Sequence, residues 1–337
     1  MVLVKKFAPG LALAALLAAI ANYISGFIPY RLISGGVFAL LLGMAINPLV
    51  SGKEIFASGI KLVSKQVLRL AIILMGLTLS FTQVLSVGKY SIIVMCFTLF
   101  AAFFGGYWLG RLFGMNWKLS GLISAGTGIC GGSAVAAIAP TIDADDCDVA
   151  YAISATFIFD IIMVVLFPIM GRYFGMSDMG FGLWTGTAVN DTSSVVAAGY
   201  AFSDTAGSFS IIVKLTRTLS IIPTVLVFSF INERINAKKT GSREKRKINI
   251  RKIFPYFILL FLLMVAVRST GIVPDTVSKT VSVFSKFFMV MALGAIGLKT
   301  NFNELAASGF RPMLHGFLIS TLVVVVSYTV QLFMGQI

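Results

Sequence analysis

From residue 7 to residue 334, apolar stretches of membrane-crossing length follow one another with short polar loops between them. Nothing constrains this chain more. In hydrocarbon every backbone N–H and C=O must be paired within the protein, so only helices or a closed barrel survive there. The stretches are continuously apolar instead of alternating, which selects helices. They fall at 7–24, 32–50, 67–85, 90–110, 119–140, 149–171, 181–201, 207–232, 253–270, 281–298 and 312–334. Most are close to the roughly 20 residues that cross a bilayer core. Only 12% of the residues are charged, against about 25% in a soluble domain. The expectation is an all-α polytopic membrane protein, a single domain over 1–337 with about eleven transmembrane helices.

Basic residues orient it. Loop 233–252 carries Arg234, Lys238, Lys239, Arg243, Lys245, Arg246, Lys247, Arg251 and Lys252 and is expected to be cytoplasmic, because Lys and Arg concentrate on that side. Counting spans outward puts Lys5, Lys6, Lys53, Lys61, Lys65, Arg69, Arg111, Lys118, Arg172, Lys299 and Arg311 inside as well. Arg31, Lys89, Arg268, Lys279, Lys286 and the acids Asp143, Asp145, Asp146 and Asp148 fall outside. The N-terminus is then cytoplasmic and the first span an uncleaved helix. The net charge of +14 follows from this orientation and from anionic lipid at the inner surface, so no nucleic-acid partner is implied.

Two of the spans are interrupted. One holds Gly126-Thr127-Gly128-Ile129-Cys130-Gly131-Gly132-Ser133, the other Gly186-Thr187-Ala188-Val189-Asn190-Asp191-Thr192-Ser193-Ser194. Glycine and small hydroxyl residues weaken a helix, and irregular backbone inside a membrane lines a cavity or lies buried in protein. These segments are expected to be broken helices or re-entrant hairpins that approach each other near the midplane and hold a solute. Close packing through small residues and capping of the half-helix after Asp191 are the structural alternatives. The candidate substrate-binding residues are Thr127, Gly128, Cys130, Gly131, Gly132, Ser133, Asn190, Asp191, Thr192, Ser193 and Ser194.

Lys214 and Arg217 share a helix face at i and i+3 within an apolar span. As substrate residues they would form a paired positive site for an anion. As structural residues they would snorkel or pair with Asp160 or Asp191. Asp160, mid-span among Phe157, Ile158, Phe159 and Ile161, is a candidate for proton coupling or for such a pair. Asp191, beside four other polar side chains, is preferred for coupling. No cofactor is implied beyond a coupling sodium ion or proton. The sole histidine, His315, reads as interfacial. Cys96, Cys130 and Cys147 lack metal spacing and imply no disulfide. No enzyme signature is present.

Two internal echoes exist. Gly76-Leu77-Thr78-Leu79-Ser80-Phe81, ending at Gly88, matches Gly297-Leu298-Lys299-Thr300-Asn301-Phe302, ending at Gly309, in spans of opposite direction, as an inverted repeat requires. Gly126–Ala137 also echoes Gly186–Ala197, and these directions agree with an inverted repeat only if a segment is re-entrant.

Ala125–Ala134, Asp191-Thr192 with Val195–Gly199, and Val213-Lys214-Leu215-Thr216-Arg217 resemble the bacterial YeiH family, UPF0324, labelled as sulfate exporters. The resemblance spans nearly the whole chain. It implies a multi-pass transporter of the bacterial inner membrane for a small anion such as sulfate or an organic acid, with an inverted-repeat fold like that of bile-acid symporters and sodium–proton antiporters. Many members carry His before the acid and Gln two positions after the following Thr. Here those places hold Asn190 and Ser194, which removes a titratable group. An uncoupled anion channel is the alternative reading, with a membrane enzyme or scaffold as the third. The expected partners are the anionic solute, the lipid bilayer and a second copy of the chain.

Overall fold

The computed structural model describes residues 2–26, 34–240, 254–300 and 309–336. Arg31, most of the basic loop (241–252) and the echo residues 301–308 lie outside the described residues; residues 233–240 are helical. In chain order the helices are α1 Val2–Gly26, α2 Gly35–Val50, α3 Glu54–Leu62, α4 Leu68–Met75, α5 Phe81–Leu112, α6 Trp117–Ala125, α7 Gly132–Ile138, α8 Asp146–Tyr173, α9 Asp178–Ala188, α10 Thr192–Phe202, α11 Asp204–Thr218, α12 Ile221–Thr240, α13 Tyr256–Ser269, α14 Asp275–Gly297 and α15 Phe310–Phe333. No strand occurs among the described residues. Among the described residues, six segments are long and apolar enough to cross a membrane: Phe7–Gly26, α5, α8, Asp204–Ala237, α14 and α15.

The two interrupted spans do not cross. Lys118 Nζ, at the start of α6, donates to the Asp143 carbonyl just after α7. Both ends of α6–α7 therefore lie at one end of the bundle, as in a hairpin. Ser203, at the end of α10, donates to the Asp178 carboxylate at the start of α9 at 2.6 Å, so α9–α10 is a second hairpin. Between them α8 runs from the first hairpin's open end to the second's: Arg172 near its C-terminus donates to the Ala201 carbonyl at 2.7 Å. The hairpins thus enter from opposite ends.

This corrects two sequence expectations. Asp143, Asp145, Asp146 and Asp148 belong to the end that carries Lys118, and Arg172 to the opposite end. The cause is that each hairpin adds an apolar span without adding a crossing. The first reverses every later assignment and the second reverses it back, so only the residues between them were misplaced. The spans 119–140 and 181–201 accordingly take the re-entrant form of the two expected, and the exact count of eleven crossings is not confirmed.

Sequence explains the tight seating of the second hairpin. A Cβ on Gly182 would lie 2.7 Å from that of Phe209, and one on Gly186 2.6 Å from that of Val213. The absence of side chains lets α9 lie against α11 at a distance no other residue permits.

The helices form two groups. α1, α2, α3, α4, α13 and α14 pack together, and α5 to α12 pack with α15. Within the first group α4 and α14 are antiparallel neighbours: Ser285 Oγ donates to the Ala71 carbonyl at 2.7 Å and Ser278 Oγ to that of Leu77 at 2.9 Å. The Gly76 and Gly297 echoes therefore end helices that point in opposite directions.

Candidate functional site

The hairpin tips meet. At the first tip α6 continues into a π turn, Gly126–Cys130, and breaks at Gly131. There the backbone takes φ 64°, ψ −137°, a region open essentially to glycine alone. A Cβ on Gly131 would stand 3.4 Å from Asp191 Cα at the second tip, so there is room for a methyl group but not for the conformation. Gly131→Ala is expected to lower stability by about 1–3 kcal/mol through backbone strain, read as a fall in the unfolding midpoint in detergent. An unchanged midpoint would show that the tip can rearrange without loss.

Breaking two helices in the protein interior strands carbonyls at the ends of α6 and α9 and amides at the start of α10. Buried polar groups left without partners are costly, and the chain supplies them from three helices. Asp160, fully buried in the middle of α8, accepts the Asn190 N–H at 2.7 Å and the Asp191 N–H at 2.8 Å, one on each carboxylate oxygen. Asp191 caps α10 by accepting the Ser193 N–H at 2.8 Å and the Ser193 hydroxyl, as the capping alternative expects. On the opposite side, Lys214 Nζ of α11 donates to the carbonyls of Ile129 and Val189, both at 2.9 Å. Arg217 donates through Nε to Gly128 O at 2.6 Å and through Nη2 to Thr127 O.

Charges thus match helix ends: a carboxylate at amides, cations at carbonyls, each where the helix dipole favours it. Lys214 and Arg217 do not snorkel, since both are fully buried. Neither forms an ion pair with Asp160 or Asp191. A polar layer lies behind the tips. Asn190 Nδ2 donates to Thr156 O at 3.3 Å and to Ser320 Oγ at 3.2 Å, and Ser320 Oγ lies 3.5 Å from Thr127 Oγ1.

In front of the tips is a cavity of about 640 Å³ between the two helix groups. Gly131, Gly132, Ser133, Asp160, Asp191, Thr192 and Ser193 form its floor. Lys65, Arg69 and Lys299 stand on the wall contributed by α4, the π turn before it and the end of α14. Lys299 lies beyond α14, and burial together with the nearby Lys65 and Lys61 lowers its pKa below the usual lysine value. These cations make no ion pair among the described residues.

Of the sequence candidates, Thr127, Gly128, Cys130, Asn190, Ser194, Lys214 and Arg217 lie buried behind the tips and do not line this cavity. His315 is not interfacial. It is fully buried, with Nε2 3.0 Å from Gly106 O and 3.2 Å from Ser120 Oγ. Sequence reasoning did not single out Lys65, Arg69 and Lys299 as cavity-lining residues, because orientation alone explained them. The i, i+4 spacing of Lys61, Lys65 and Arg69, which puts three cations on one face, was the available signal.

A second cavity, about 590 Å³, meets α10 and α14 from the other end. Tyr200, Asp204 and Lys286 are among its walls, and Lys286 Nζ bonds to Asp204 Oδ1 at 2.8 Å across the two helix groups. Between the cavities lies an apolar layer that includes Leu40, Met44, Val164, Ala197 and Leu293, with Ile161 and Ile296 against it.

Residues 9–316 match the family described as Conserved hypothetical protein 698. A UPF0324 membrane protein of Clostridium tetani is 66% identical over 345 residues, covering 100% of both chains. Another from Streptococcus agalactiae is 39% identical over 342 residues, covering 99% of each. One from Fusobacterium nucleatum is 37% identical over 346 residues, covering 97% of this chain and 98% of the relative.

Proposed function

We propose that this chain, which belongs to the UPF0324 family of membrane proteins, is a secondary transporter that binds a small anion where its two hairpin tips meet. The observation that carries the reading is the pair of cavities. One runs from a basic wall to the tips, the other approaches from the opposite end, and an apolar layer divides them. A solute site reachable from one side at a time is what alternating access requires, whereas an uncoupled channel needs a continuous path. The basic wall raises the local concentration of anions. On the positive-inside rule the end bearing Lys61, Lys65, Arg69, Arg111 and Lys118 is cytoplasmic, in a bacterial inner membrane, and the cavity of Lys299 opens to the cytoplasm. Sulfate and organic acids are the candidate cargo, and export is the direction to test first.

Purified protein in proteoliposomes, loaded with an unlabelled anion and exposed to the labelled one, is expected to show saturable uptake accelerated by the internal anion. Labelled sulfate and labelled malate are the first probes. Flux that is linear in concentration and indifferent to the internal anion would replace the transporter with a channel. No flux above empty liposomes for the organic and inorganic anions tested would remove the reading.

A further inference from the structure

The cavity in front of the tips is polarised, and its two poles differ in kind. Its wall offers three cations, Lys65, Arg69 and Lys299. Its floor offers acceptors. Asp191 Oδ2 is occupied by Ser193, but Asp191 Oδ1 accepts nothing from the described residues. The hydroxyls of Ser133 and Thr192 also face this cavity without a hydrogen bond to the described residues.

The amides of Asn190, Asp191 and Ser193 at the second tip, which would otherwise attract an anion, are already held by Asp160 and Asp191. The cations nearest the tips, Lys214 and Arg217, are turned away from the cavity toward carbonyls. An anionic group pressed against the floor would face carboxylates. One placed against the wall would face ammonium and guanidinium groups that have no counter-ion among the described residues. A compact tetrahedral oxyanion would therefore engage one pole and leave most of the 640 Å³ unfilled. Sites of a few hundred to about 1,000 Å³ generally take organic ligands, fixed by a small number of polar groups among apolar walls. Ile153, Phe157 and Phe257 supply such walls between the poles.

We infer that the cargo of this site is an organic acid with a carboxylate or similar anionic head held by Lys65, Arg69 and Lys299, and a hydrogen-bond donor at its far end held by Asp191, Ser133 and Thr192. The inference rests on the transporter reading for the word cargo, while the binding chemistry stands on the cavity alone. The donor is a hydroxyl or an ammonium group, and the carboxylate of Asp191 separates the two, since it favours a cation over a neutral donor.

The test is ligand protection against thermal unfolding of the full chain in detergent. The probes are sulfate, propionate, butyrate, and the ω-hydroxy and ω-amino derivatives of both acids. At least one ω-substituted acid is expected to protect at about tenfold lower concentration than its unsubstituted parent and than sulfate, the margin of one good hydrogen bond. Lys299→Gln and Arg69→Gln should weaken every organic acid alike, and Lys299→Arg should restore binding. Thr192→Val should erase the advantage of the ω-substituted acid and leave the parent unaffected. Asp191→Asn should cost an ω-amino acid more than an ω-hydroxy acid. Ligand-free unfolding midpoints establish that each variant is folded.

Sulfate protecting at lower concentration than every organic acid would overturn the inference. So would equal protection by parent and substituted acids, or no protection by any probe. The expected binding order without counterflow in proteoliposomes would instead remove the transporter reading and leave the site's chemistry in place.

Discussion

Asp160→Asn is expected to abolish transport and to lower stability, whereas Asp191→Asn is expected to keep the fold, lose gradient-driven flux and leave some downhill exchange. The two carboxylates sit at the same tip but perform different tasks. Each oxygen of Asp160 accepts one backbone N–H, at 2.7 and 2.8 Å. Asparagine offers a single oxygen and turns an NH₂ group toward the other amide. One buried donor is stranded and two donors face each other, at a cost of about 1–3 kcal/mol for each unsatisfied group. At Asp191 the side chain is an N-cap, and asparagine caps about as well as aspartate. The geometry therefore survives and the charge does not. Thermal unfolding measured with flux under imposed proton and sodium gradients separates these outcomes. If Asp191→Asn retains full coupling while a stable Asp160→Asn loses it, the roles are reversed. If both retain it, the site is uncoupled and a channel gains support.

Arg217→Met is expected to be the most damaging substitution behind the tips. It removes the partners of the Thr127 and Gly128 carbonyls. Two hydrogen bonds from a charged donor are worth about 3–6 kcal/mol together, a large fraction of the 5–15 kcal/mol that typically holds a protein folded. Lys214→Met strands Ile129 and Val189 and is expected to follow closely. Arg217→Lys should recover part of the loss, because an ammonium lacks the planar fork that reaches both carbonyls. Yield of folded protein and unfolding midpoint are the readouts. Anion affinity, in whatever fraction folds, is expected to stay near that of the unsubstituted chain. A stable Arg217→Met with lost anion affinity would return Arg217 to the substrate contact that its sequence position suggests.

The sequence made the apolar spans legible because helix-forming runs of bilayer length have few alternative meanings. It also located both tips, since Gly131-Gly132 and Asn190-Asp191-Thr192 fit poorly inside an unbroken helix. Re-entrance was not decidable, because two half-helices and a bend have the same length and hydropathy as one crossing helix. The direction of α8, and with it the placement of Arg172 and Asp143, depended on that choice. The task of Asp160 was hidden for a different reason. Its partners are backbone amides, which every residue carries, so no sequence pattern announces them. Lys214 and Arg217 stood out as intramembrane cations, yet their partners are likewise backbone carbonyls. Lys65, Arg69 and Lys299 were visible but already accounted for by the orientation rule, which gives no reason to look for a second role.

The apolar layer around Leu40, Ala197 and Leu293, with a chamber at each end, has an electrical consequence. Where water fills both chambers, the membrane voltage no longer falls evenly across the full bilayer thickness but drops mainly over that layer. An ion crossing that layer would traverse most of the potential, about 2.3 kcal/mol per charge at 100 mV. On the transporter reading proposed above, a modest displacement of α10 against α14 would then carry nearly the whole electrical work of moving an anion from one side to the other.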